Sequence, residues 1–216
     1  MIELIIKHSG VITSTLTTLM AAFFGAWFAF RFQESKNKKL ELKGKKAALN
    51  KALFIIFRQF NELMFIKNKI DQCRNIPIRA FSMPANISSN NNIVLNDHEL
   101  SFLLETDQPD LLFKLLVEHD RFKQAIVAYD MRTKLHINEI QPALEKYNLI
   151  DRNVSLEEFQ DKLGQRLFIS AVKITDSLFQ HIDETIISHE EFGKVLFDFS
   201  KKMFPKDSFI QFEPKT

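Results

Sequence analysis

The stretch SGVITSTLTTLMAAFFGAWFAF, Ser9–Phe30, runs 22 residues without a formal charge and is closed by Arg31. As a helix rising about 1.5 Å per residue it measures roughly 33 Å, enough to cross the about 30 Å hydrocarbon core of a bilayer. A secretory signal needs a basic leading region and a shorter apolar core. Here Lys7 is offset by Glu3, the run is long, and the basic residues follow it. Over residues 31–46, Arg31, Lys36, Lys38, Lys39, Lys43, Lys45 and Lys46 face only Glu34 and Glu41. Basic residues stay on the cytoplasmic side. The expected topology is therefore a short outer N-terminus (1–8), a transmembrane helix (9–30), a basic juxtamembrane stalk (31–46) and a cytoplasmic bulk. Trp27, Phe28 and Phe30 then lie at the inner interface. A buried core helix is the competing reading, and the length of the charge-free run weighs against it.

The expected span is patterned. Ser14, Thr18, Ala21, Ala22, Gly25 and Ala29 recur every three or four residues and share a face. Ala21-x-x-x-Gly25-x-x-x-Ala29 is a small-xxx-small series, which lets helices approach closely in lipid. Leu16, Leu19, Met20, Phe23, Phe24 and Trp27 fall mostly elsewhere. Self-association through the small face and a plain anchor both remain open.

The body is slightly acidic. Removing Lys7 and the seven stalk cations from 29, and Glu3, Glu34 and Glu41 from 27, leaves 21 basic and 24 acidic residues in 47–216. The positive charge is concentrated in the stalk, as a topology signal, a contact to anionic headgroups or a contact to a nucleic-acid partner, of which the first two need no extra assumption. Cys73 is the single cysteine, so no internal disulfide forms and a reducing compartment fits. Five Gly and six Pro are too few for an all-β or low-complexity chain.

No proline interrupts Gly10–Ile76, so the span is expected to continue as one helix ending near Cys73. Leu49, Leu53, Ile56, Phe60, Leu63, Lys67 and Ile70 step by heptad spacing, a seam with one polar position. Phe54, Phe57, Met64 and Phe65 are read as widening its apolar face. Residues 74–96, with Pro77, Pro84 and a polar run from Asn86 to Asn92, are read as a long loop in which Arg74, Arg79 and Phe81 carry binding potential. Asp97 is placed as the cap of a short helix through Leu104. Asp107 with Pro109 opens a helix to about Ile140, and Pro142 bends or restarts it. Ser155-x-x-Glu158 and Ser188-x-x-Glu191 read as two capping boxes, the first opening a helix through about Ile187, the second one ending at Pro205. The tail 205–216, with Phe209, Ile210 and Phe212, is expected to dock in extended form. The fold is thus all-α, a transmembrane helix continuing into a long helix of a cytoplasmic helical bundle (47–204).

Chemistry is sparse. His8, His98, His119, His136, His181 and His189 form no HExxH or Cys/His ligand spacing, and phosphate-loop and nucleophile-elbow motifs are absent. His181-Ile-Asp183-Glu184 and His189-Glu190-Glu191 are read as solvated helix faces, not metal ligands. No cofactor and no catalytic residue are expected.

The run Phe23–Gln33, the segments Ala48–Phe54 and Arg58–Asn61, and farther on Leu100–Glu105, Pro109–Leu112 and Gln141-Pro142 together resemble a group of small bacterial single-pass membrane proteins. The group includes transmembrane effectors of retron anti-phage defence. The resemblance covers nearly the whole chain and implies an inner-membrane effector of abortive infection. Such an effector is held inactive by a reverse transcriptase with its RNA-linked DNA and, once released, damages the membrane. A membrane-tethered scaffold that recruits a cytoplasmic protein is the alternative.

Overall fold

In the computed structural model the described residues are 2–85, 94–150, 152 and 154–211, with side chains described from Thr17 onward. They are helical and contain no strand, as the sequence periodicity requires. The chain divides into two units, Met1–Ala47 and Ala48–Thr216. Helix α1 (Ile2–Ile70) belongs to both and has no proline to break it. Its side chains from Thr17 to Phe32 are exposed, including Leu19, Phe23, Phe28 and Phe30. Among the described residues no helix is long and apolar enough to cross a membrane. Within the described side chains the apolar run is Thr17–Phe30, about 21 Å of helix; the rest of the expected span, Ser9–Leu16, has side chains outside the described set.

In the second unit, α1 from Ala48 to Ile70 packs with α3 (Asp110–Leu135) and α5 (Leu156–Met203). The heptad seam is the contact: Leu49, Leu53, Ile56, Phe60, Leu63 and Ile70 are all buried. Lys67, its polar member, is satisfied by Asp71 at 3.0 Å and Asp183 at 2.6 Å. The seam is narrower than the sequence suggests. Phe57 and Met64 are partly buried, but Phe54 and Phe65 are exposed, because they lie a further step around the helix, outside the apolar clusters; the Lys69 ammonium lies over the Phe65 ring at 4.1 Å.

The segment after α1 is more ordered than a loop. A 3-10 turn (Asp71–Cys73) and the one-turn α2 (Arg79–Ser82) place Ala80, Phe81 and Met83 in the core. Phe81 stacks on Phe159 with ring centroids 4.7 Å apart. Arg74 pairs with Asp71 and Asp183, and Arg79 with Asp176 at 2.6 Å, so the residues with binding potential are consumed internally. Of this segment, 86–93 lies outside the described residues.

A 3-10 helix (His98–Glu105) precedes α3, and neither it nor α3 has a side-chain cap. Asp107 instead meets Lys202 at 2.6 Å. A π-helical turn (His136–Ile140) joins α3 to α4 (Gln141–Lys146), where Pro142 occupies the first turn, as its missing N–H favours. The Ser155 hydroxyl caps α5 by accepting from the Glu158 N–H at 3.2 Å. The second capping box does not form: α5 runs unbroken through Ser188, whose hydroxyl donates to the Glu118 carboxylate at 2.6 Å. The break falls at Gly164 instead, at φ 76°, ψ 153°, a backbone that side chains resist. The tail docks as expected up to Ile210, whose N–H donates to Asn50 Oδ1 at 3.2 Å; Phe212 is outside the described residues.

Leu63→Ala, at the buried centre of the seam, is expected to cost about 2–5 kcal/mol in urea unfolding. Phe65→Ala, on the exposed flank, should cost less than about 0.5 kcal/mol. Gly164→Ala should cost about 1–3 kcal/mol through backbone strain alone, since open space surrounds that position.

Candidate functional site

Two features of the structure carry functional weight, one in each unit. In the first, successive residues of α1 turn by about 100°. Leu19, Met20, Phe23, Phe24, Trp27, Phe28 and Phe30 therefore fill one half of the helix surface. Thr18, Ala21, Ala22, Gly25 and Ala29 fill the other. Both halves are exposed, and nothing lies within 4 Å of a side-chain carbon built on Gly25. The Ser14 side chain is outside the described residues.

The stalk cations divide the same way. Lys38 pairs with Glu34 at 2.8 Å and Lys45 with Glu41 at 2.5 Å, two i,i+4 pairs one heptad apart on one face. Lys36, Lys39 and Lys43 share the opposite face, and no ion pair to them is found among the described residues. Arg31 lies over the Trp27 ring at 5.5 Å. Lys46, one heptad beyond Lys39, lies at the edge of the basic face. The stalk thus keeps an uncompensated basic stripe opposite a neutralised one.

The second feature is buried. Between two apolar clusters of the bundle lies a layer of polar side chains contributed by all three long helices: Gln59 from α1, Glu118 and His119 from α3, His189 from α5. Gln59 and His189 are fully buried. The Gln59 amide donates to His119 Nδ1 at 2.6 Å, and its carbonyl oxygen accepts from His189 Nε2 at 3.2 Å. His189 Nδ1 sits 3.1 Å from Glu118 Oε2, an ion-pair distance that is off the hydrogen-bond axis. Ser188 and Arg121 close the layer on Glu118 Oε1, and Arg121 also donates to the Ser188 hydroxyl. Burial works to raise the Glu118 carboxyl, but His189 and Ser188 outweigh it and hold the group below the usual carboxylate range. Burial pushes His119 down, which keeps it neutral and able to accept at Nδ1.

A buried cation outside this layer, Arg132, has no carboxylate partner among the described residues. It donates to the carbonyls of Met83 and Pro84 and clamps that segment to α3. Burial lowers it to about 10, so it remains charged at neutral pH, and burial with the Arg132 charge pushes neighbouring His136 down to about 4. Among the described residues no group of three or more His, Cys, Asp or Glu could hold a metal ion. Asp183 is taken by Lys67 and Arg74, and His189 is not solvated but wholly interior.

The polar layer was not anticipated from the sequence, yet a signal exists. His189 continues the buried spacing Ile182, Ile186, then Phe192 and Leu196. Gln59 lies between Ile56 and Leu63, and His119 between Leu115 and Phe122. Polar residues at apolar-seam positions on three helices mark a shared layer.

No known protein family matches the chain, and no characterised protein or solved structure is similar to it.

Stability is expected to fall with acid in two stages. His119 and His136 titrate below their unfolded value of about 6.5, so their contribution is complete above that pH and is lost below it, for His136 down to about 4. Glu118 titrates below its unfolded value of about 4.3, so its contribution is lost as pH falls further. Urea unfolding at pH 7.5, 5.5 and 3.5 checks this: His136→Asn should flatten the first fall. Glu118→Gln should lower stability by about 1–3 kcal/mol at pH 7.5 and flatten the second.

Proposed function

We propose that the chain is a membrane-anchored, non-enzymatic effector of bacterial anti-phage defence, of the retron type, that perturbs the inner membrane when a cytoplasmic partner releases it. The observation that supports this reading most is the exposure of α1 from Thr17 to Phe32: bulky apolar side chains over half its surface and small ones over the other, with no described residue covering either. In water each fully exposed large apolar side chain forgoes about 1.5–3 kcal/mol of burial. A helix apolar on every side finds its partner in lipid or in other helices. In this reading Ser9–Phe30 spans the bilayer with the bulk cytoplasmic, the bulky half meets lipid, and the small half of neighbouring copies associates. The basic stripe Lys36, Lys39 and Lys43 meets anionic headgroups, each contributing about 1 kcal/mol near the surface. A reverse transcriptase with its RNA-linked DNA is the partner that the sequence resemblance suggests.

One observation favours a second reading, a tethered scaffold that recruits a cytoplasmic protein: α3 leaves the large apolar side chains of Phe113, Val127 and Met131 exposed. Replacing residues 9–30 with an unrelated span separates the two, since a scaffold keeps its activity and an effector loses it.

Expressed alone, the parent is expected to depolarise cells and arrest growth, and Gly25→Leu to abolish both by filling the small face. Unchanged membrane potential and growth with the parent would count against an effector. Equal depolarisation by both proteins would remove the small face from the mechanism.

A further inference from the structure

Between α3 and α5 lies an open groove of about 530 Å³. Its floor is Val127, Ala128, Met131 and Ile174. Val127 and Met131 are 54 % and 53 % exposed, on the side of α3 turned away from the buried Phe122, Ala125 and Tyr129. The polar lining is Lys123, Gln124, Lys173, Ser177 and His181, with no carboxylate among it. Lys123 has a weak neighbour on its own helix, Asp120 at 3.2 Å, both more than half exposed.

The two helices run antiparallel, because Glu118 meets His189 while Glu139 meets Arg166. Lys123, early in the groove on α3, therefore lies at the His181 end. Lys173, early on α5, lies at the other end and on the opposite rim. From Lys123 to Met131 the groove follows about 12 Å of α3, a little over two turns of a docked helix. A single-headed amphiphile needs its cations gathered at one end. A helix laid in the groove has two polar flanks and meets a lysine on each, two turns apart.

We propose that this groove is a docking site for an amphipathic helix of a protein partner, one that lays an apolar i, i+3/i+4, i+7 stripe on Val127, Met131 and Ile174 and carries carboxylates on both flanks. The site is independent of whether α1 enters a bilayer. Charge complementarity sets the partner's sign, and the apolar floor supplies the contact.

The test uses the purified full-length chain and a fluorescein-labelled 18-residue synthetic helix with a leucine stripe flanked by glutamates, read by anisotropy. A version with lysine flanks is the control. The acidic helix should bind at least tenfold tighter than the basic one. Lys123→Glu with Lys173→Glu should reverse that preference. Val127→Glu with Met131→Glu should weaken binding of the acidic helix at least tenfold; these side chains are exposed, and unchanged circular dichroism confirms the fold. Equal binding of the two helices, or binding indifferent to the Val127 and Met131 changes, overturns the proposal. So does concentration-dependent dimerisation abolished by Met131→Glu without helix binding, which gives the groove to a second copy. Binding of phosphatidylglycerol vesicles through Lys123 and Lys173 without helix binding gives it to lipid and equally overturns it.

Discussion

The layer formed by Gln59, Glu118, His119 and His189 is the constraint on which the bundle depends. Apolar contacts are non-directional. Sliding α1 by one turn, about 5.4 Å, would exchange one set of Leu, Ile and Phe contacts for another of similar worth. It would not preserve the bonds of Gln59 to His119 and His189. Each buried polar group left without its partner costs about 1–3 kcal/mol, and four such groups meet here. Polar residues at seam positions are known to fix register at some cost in stability. Here one layer fixes three helices at once, because Gln59 offers a donor to α3 and an acceptor to α5. Two apolar clusters, one on either side, then supply burial without having to supply specificity.

Periodicity made the backbone of this architecture readable. Every apolar member of the α1 seam is buried, and the helix boundaries near Pro109, Pro142, Ser155 and Pro205 are close to those observed. The misreadings share a cause, which is that local signals compete with distant partners. Ser188-x-x-Glu191 satisfies a capping pattern, but the Ser188 hydroxyl finds Glu118, a partner 70 residues away in sequence. Gly164 lies inside the helical run that opens at Ser155, and its positive φ breaks that run five residues after Phe159, the residue that stacks on Phe81. His189 followed by Glu190 and Glu191 looks solvated. Only its step from Ile186 to Phe192 places it inside, and that step carries information only if polar residues are allowed into the seam. The groove between α3 and α5 was not legible at all, since a groove needs two helices brought side by side.

The two units manage apolar surface in opposite ways. From Ala48 onward, most large apolar side chains of α1 turn inward, and only Phe54 and Phe65 among the described ones stay on the exposed flank. From Thr17 to Phe32 they are exposed whichever way they point. The stalk marks the change with charge: its acidic residues neutralise one face and leave the other basic. This gradient is what the proposed anchor reading rests on, since a core element has a covered side and residues 17–32 have none.

A ligand shifts an equilibrium only by its differential affinity for the two states. A helix seated between α3 and α5 contacts both, so it binds the arrangement in which they are packed and the polar layer is intact. Occupancy of the groove would therefore hold the bundle together, and loss of the occupant would return the bundle to its intrinsic stability. In the proposed reading a partner restrains the effector while bound and activates it by leaving. Occupancy of this groove has that sign, because its lining comes from the two helices that Glu118 and His189 tie together. A trigger that instead acted by binding would have to favour an arrangement in which those helices separate. It would then have to offset the cost of exposing or orphaning Glu118, His119, Gln59 and His189 together, several kcal/mol at about 1–3 kcal/mol for each group. Release of a restraining partner adds no such binding requirement: it returns the bundle to its intrinsic stability, and any separation of α3 and α5 after release still has to break the same layer.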